Sequence, residues 1–168
     1  MSREQRIAIV RQAYAKQVMA AVGLTRPGIE AAFATVERER YLGPGPWPIL
    51  RSGGYMPTPD ADPVYLYSDV LIGIVPEREL NNGTPSYHMP LMASADIRAG
   101  DHVVHIGAGV GYYTAIMACL AGLAGRVTAI EFDAALASRA ATNFSNATNV
   151  HVLQGDGFSM PFDTADVI

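Results

Sequence analysis

The chain has 168 residues, 49% hydrophobic and 17% charged, the balance of one soluble globular domain with a sizeable core. Twelve Lys and Arg against sixteen Asp and Glu give a formal charge of −4, which argues against nucleic acid and anionic membranes as partners. One cysteine excludes an internal disulfide and a multi-thiolate metal site, no apolar run reaches the roughly 18 residues of a membrane span, and the expectation is a cytoplasmic protein with no metal.

From Arg3 to about Val22 the apolar residues Ile7, Val10, Tyr14, Val18 and Ala21 recur at threes and fours, predicting an amphipathic helix ended by Gly23. Thr25-Arg26-Pro27 opens a second helix, with Ile29, Ala32, Phe33 and Val36 on its apolar face, running to Glu39-Arg40. Gly43, Pro44, Gly45, Pro46 and Pro48 forbid helix, and the stretch on to Pro90 reads as a long irregular region with one short strand over Val70–Val75. A loop of that length in a compact domain is usually functional or disordered.

At Asp101 the pattern changes to alternating strands and helices. HVVHI (102–106) reads as a strand, Tyr113–Leu123 as a helix, RVTAIE (126–131) as a strand, Ala134–Asn143 as a helix and VHVLQG (150–155) as a strand; ADVI (165–168) begins another. This alternation predicts an α/β fold with a doubly wound, mostly parallel sheet. Residues 1–100 would form a helical and loop extension packed on that core, and residues 101–168 its first half, within one structural domain.

The run HIGAGVGYYTA (105–115) joins the first core strand to its helix, and glycines there let a ligand approach the backbone closely. The spacing is G-x-G-x-G, through Gly107, Gly109 and Gly111. A dinucleotide fingerprint, G-x-G-x-x-G, needs its third glycine where Tyr112 stands, which disfavours NAD. Glu131 closes the next strand, placed to accept hydrogen bonds from ribose hydroxyls of NAD or S-adenosylmethionine alike. Asp156, in Gln154-Gly155-Asp156-Gly157, follows the third strand and is placed to accept from the adenine amine. Each feature alone is compatible with an ordinary turn or strand end; together, three successive strand ends address one adenosine.

These residues carry a resemblance. The run from AGDHVVHIGAGVGYYTA through AIEFDAALASRA to VLQGDG resembles the core of the protein-L-isoaspartate (D-aspartate) O-methyltransferases, and AAFATVERERYLGPGPW and YSDVLIGI resemble that family's N-terminal helix and Tyr-x-Asp stretch. The resemblance spans nearly the whole chain and implies a Rossmann-like methyltransferase sheet that uses S-adenosylmethionine. It implies that Gly107, Gly109 and Gly111 line the methionine end, that Glu131 and Phe132 take the ribose and flank the base, and that Asp156 and Gly157 receive the adenine. Gly83-Thr84-Pro85-Ser86 stands at the family's Ile-Ser-x-Pro stretch, which makes Ser86 the match of the catalytic serine and Thr84 a cofactor neighbour. The implied partner is a protein or peptide bearing an isoaspartyl or aspartyl carboxylate.

The chain departs from the family at His88, where a proline is usual, in a shorter segment from Ser86 to Gly100, and at His105, where an acidic residue often precedes the glycine turn. His88, His102 and His151 read as structural, Tyr112 and Tyr113 as packing on the sheet, and Cys119 as a small buried hydrophobe. Two other functions compete with a carboxyl methyltransferase: a non-catalytic S-adenosylmethionine-binding module and a nicotinamide oxidoreductase. The stretch Ala165-Asp166-Val167-Ile168 reads as a fourth strand beside the first, leaving the core C-terminally incomplete. A sheet ending there would expose an apolar edge, which predicts a longer parent protein or a homodimer through that edge.

Overall fold

A computed structural model describes residues 1–168, which divide into two compact units, Met1–Leu91 and Met92–Ile168. In the first, helix α1 (Arg3–Ala21) starts at a capping box: Ser2 Oγ accepts from the Gln5 amide at 3.2 Å, and Gln5 Oε1 accepts from the Ser2 amide at 2.9 Å. Helix α2 (Pro27–Thr35) packs on it through Ile29, Ala32 and Phe33, with proline supplying the preset φ of a first turn. The second predicted helix is interrupted. Val36 is extended, and a separate short helix α3 (Glu39–Leu42) follows, ended by Gly43 at φ 76°.

The segment read as irregular has more structure than its glycines and prolines suggest. Strands β1 (Pro48–Arg51) and β2 (Gly54–Pro57) form an antiparallel hairpin, and β3 (Gly73–Val75) pairs with β4 (Leu80–Asn81). An antiparallel bridge between Ile49 and Ile72 joins the two pairs, so the predicted strand over Val70–Val75 is realised as one bridge and a three-residue strand. Leu42, Trp47, Ile49, Leu66 and Ile72 close a core of their own around them. Helix α4 (Pro85–Ala95) then runs through Pro90, against the expectation of loop. Pro85 suits the helix start, whereas Pro90 has no N–H to offer the Ser86 carbonyl four residues back.

In the second unit β5 (His102–Ile106), β6 (Arg126–Glu131) and β7 (Val150–Gln154) form a parallel sheet in the order β5-β6-β7. The central strand β6 is buried from Val127 to Glu131, which accords with its lack of polar–apolar alternation. Helices α5 (Tyr112–Ala121) and α6 (Ala134–Asn143) are the crossovers, and Asp133 Oδ1 caps α6 by accepting from the Ala135 and Leu136 amides. Val167 makes one parallel bridge to Val103, so the strand expected over 165–168 is realised as a single bridge beside β5, in the fourth place of a 3-2-1-4 order. Tyr112 and Tyr113 are buried as expected, but Cys119 is exposed: it falls on the outer face of α5, so apolar sequence neighbours misplaced it.

Candidate active site

Parallel strands put their carboxyl ends on one edge of a sheet, and the residues predicted to meet an adenosine follow those ends. The amides of Gly107 and Ala108 both donate to the Ile130 carbonyl, at 2.9 and 3.1 Å, folding the glycine turn against β6. Gly107 has φ 77°, and a Cβ built there would meet no atom within 4 Å, so the turn shows bare backbone to open space. Gly111 starts α5 at φ 99°, and a Cβ there would lie 2.4 Å from the Phe144 ring. Glycine is required twice at that position, by conformation and by space.

Glu131 ends β6 and is only 8% exposed. Its Oε2 accepts from the Gly109 amide at 2.7 Å and its Oε1 from the Asp133 amide at 2.9 Å. A carboxylate has about four acceptor positions, so two remain for hydroxyl donors. The Gly155 amide donates to the Glu131 carbonyl at 2.9 Å, drawing the turn after β7 to the same place. Gly157 lies so near β5 that a Cβ would be 2.6 Å from Ile106 Cγ2. Gly107, Gly109, Gly111, Glu131 and Gly157 thus gather at one edge of the sheet.

Asp156 is exposed and holds its own turn, Oδ1 accepting from the Phe158 amide at 3.0 Å and Oδ2 from Ser159 Oγ at 3.3 Å. Phe132 follows the same end of β6 and is 74% exposed. The histidine in place of the usual acid is engaged nearby: His105 Nδ1 lies 2.8 Å from Thr114 Oγ1, spanning from β5 to α5. His102 binds Thr128 Oγ1 at 2.9 Å and the Thr164 carbonyl at 2.8 Å, a structural role.

In the first unit Thr84 and Ser86 sit at the start of α4. The Ser86 amide donates to Asp69 Oδ1 at 2.8 Å, and Ser86 Oγ lies 3.5 Å from Thr84 Oγ1. His88 Nδ1 is 2.9 Å from the Thr84 carbonyl; because a carbonyl only accepts, Nδ1 carries the proton. The His88 ring fills the space above Gly83, where a Cβ would be 2.2 Å from Cε1. Burial holds its pKa below the ordinary 6.5, opposed by the Thr84 carbonyl and reinforced by the Arg38 charge.

One buried cation underlies this turn and was not singled out by motif. Arg38 is completely buried. Its Nη1 donates to the carbonyls of Leu66 at 2.8 Å and Ser68 at 3.3 Å, and its Nη2 to the Val70 carbonyl at 3.1 Å, Asn82 Oδ1 at 3.1 Å and the Gly83 carbonyl at 3.4 Å. Tyr67 adds to the network, its hydroxyl donating to Glu39 Oε2 and accepting from Arg11 Nη1 at 3.3 Å. Burial and the Glu39 carboxylate raise the Tyr67 pKa well above the usual phenol range. No short sequence pattern marks Arg38, because its acceptors are carbonyls 28 to 45 positions away.

Among curated proteins, the chain is 30% identical over 151 residues to protein-L-isoaspartate O-methyltransferase 2 of Anaeromyxobacter sp., covering 88% of this chain and 53% of that protein. A solved protein-L-isoaspartate O-methyltransferase superposes with a TM-score of 0.71 at 24% identity, over 88% of this chain and 43% of that one. A second, a protein of this kind from Plasmodium falciparum in complex with S-adenosyl-L-homocysteine, gives 0.64 at 13% identity, over 89% of this chain and 64% of that one. The chain spans about half the length, or less, of the curated relatives it matches. The family model for protein-L-isoaspartate(D-aspartate) O-methyltransferase matches residues 58–164, well over half of the chain and both the Ser86 turn and the glycine edge, and the chain belongs to that family.

Proposed function

We propose that the protein transfers a methyl group from S-adenosylmethionine to a carboxylate of a protein or peptide, isoaspartate being the expected acceptor. The observation that carries the reading is the buried Glu131 carboxylate, tied to the glycine turn at Gly109 and keeping two acceptor positions for a ribose diol. The fit extends along the edge. Bare backbone at Gly107 leaves room for the methionine end, Phe132 offers an exposed ring to one face of a base, and Asp156 and Gly157 follow β7 where the adenine amine would arrive. Thr84 is assigned to the cofactor's neighbourhood on the acceptor side. Family membership supports the same donor and chemistry.

When bound, S-adenosylmethionine supplies an electrophilic methyl group on a sulfonium. An acceptor carboxylate is ionised at neutral pH, so the protein needs no strong base and acts by positioning. Ser86 is the residue for this: its hydroxyl donates to one carboxylate oxygen and leaves the other directed at the methyl. The Asp69 carboxylate fixes the Ser86 backbone while it does so. Closing such a site against water favours the meeting of carboxylate and cation.

The reading includes a cytoplasmic setting and a role in repairing damaged proteins. No helix of the chain is long and apolar enough to cross a membrane. It extends to pairing of two copies, which sedimentation would detect. The deciding experiment is methyl transfer from labelled S-adenosylmethionine to a panel of isoaspartyl, aspartyl and D-aspartyl peptides. Turnover on isoaspartyl peptides supports the reading; tight binding of S-adenosylhomocysteine with no turnover on any acceptor would instead identify a binding module, and saturable NAD binding an oxidoreductase.

A further inference from the structure

We propose that Arg38 is a positioning residue for the acceptor side of the reaction, acting through the turn that presents Ser86. The inference rests on the methyltransferase reading above and adds to it a group that touches neither substrate nor cofactor. A completely buried guanidinium is costly unless acceptors gather around it, and Arg38 has five around its two terminal nitrogens. Arg38 meets acceptors from two separate stretches of chain. The carbonyls of Ser68 and Val70 flank Asp69, whose carboxylate accepts from the Ser86 amide. Asn82 Oδ1 and the Gly83 carbonyl immediately precede Thr84.

One planar fork therefore fixes both the strap that caps the Ser86 amide and the strap that leads into Thr84-Pro85-Ser86. Neither strap is a regular element at this point, and Pro90 withholds a helical donor from the Ser86 carbonyl, so local helix geometry alone does not hold the serine. Lysine cannot replace the fork: an ammonium presents three donors around one point and reaches fewer of five acceptors spread over two straps.

The test is a double-mutant cycle on methyl transfer to an isoaspartyl peptide, made from Arg38→Lys and Ser86→Ala, with S-adenosylhomocysteine binding and thermal unfolding measured on every variant. If Arg38 acts through Ser86, Arg38→Lys lowers kcat on the order of 10- to 100-fold in folded protein, as a displacement of about 1 Å does. The same change on the Ser86→Ala background costs little more, and cofactor-product affinity falls much less than kcat does. A merely structural arginine lowers the unfolding temperature but leaves kcat of the folded protein unchanged, or gives losses that multiply in the double variant; either result overturns the proposal while wild-type turnover keeps the methyltransferase reading intact. If Arg38→Lys does not fold, Asn82→Ala removes one acceptor of the fork, and the same cycle with Ser86→Ala decides by the same non-additivity. A wild-type protein without turnover on any acceptor peptide overturns the methyltransferase reading and this inference with it.

Discussion

The amide of Gly109 donates to Oε2 of Glu131 at 2.7 Å, joining the middle of the glycine turn to the end of the neighbouring strand across 22 residues. The carboxylate thus shapes the turn as well as offering acceptors to a ligand. Replacing Glu131 with Ala is expected to weaken S-adenosylhomocysteine binding by roughly 1.5–3 kcal/mol, about tenfold or more. Calorimetric titration measures this, and an unchanged affinity would remove Glu131 from the site.

Gly111→Ala should destabilise the second unit. The new methyl group meets Phe144 at 2.4 Å in a backbone conformation, φ 99°, that side chains rarely adopt. The expected cost is about 1–3 kcal/mol in chemical denaturation. Adding Phe144→Leu should recover only part of it, because the backbone strain stays; full recovery would mean that space alone makes glycine necessary.

Ser86→Ala should lower turnover by about tenfold or more, the worth of a hydrogen bond to a charged group, while S-adenosylhomocysteine affinity changes little. Both quantities have to come from one preparation. Wild-type turnover in the variant would place the acceptor carboxylate on another residue.

His88 makes the first unit sensitive to acid. Its pKa is depressed in the folded protein, chiefly by burial, relative to 6.5 in the unfolded chain, so the unfolded state binds the extra proton first. Its contribution is complete above about pH 6.5 and is lost as pH falls through the lower folded value. Unfolding temperatures followed from about pH 7 to 5 should therefore decline more steeply for the wild type than for His88→Gln. Parallel curves would show that the imidazole does not titrate between the two states.

The second unit was nearly all legible because its signals are local. HVVHI, RVTAIE and the helix over Ala134–Asn143 are strands and helix over the ranges their sequence predicts, since buried parallel strands and their crossovers declare themselves by apolar runs and period. The glycine turn announced itself through conformations open to few other residues. The first unit was less legible for the opposite reason. Helix α4 carries prolines at its first and sixth positions, and its start is held by Asp69, 17 residues earlier, so breaker signals outweighed a cap invisible to any short window. The second predicted helix ran too far because Val36 suited the apolar period while its backbone turns away. Arg38 was indistinguishable from a solvated helix-end charge until its distant carbonyl partners were in place.

The parallel bridge at Val167 offers a way to time assembly of the half-sheet. The His102 amide donates to Asp166 Oδ2 at 2.8 Å across 64 positions, and the Val104 amide to the Val167 carbonyl at 2.8 Å. The first strand of the sheet therefore takes one of its two partners from a segment 64 positions further on, and closing so long a loop is slow. Until then those two amides face water on an open ladder. During refolding, the moment at which the His102 and Val104 amides become protected from solvent exchange would time the arrival of residues 166–167, a clock for assembly of the half-sheet that needs no probe attached to the protein.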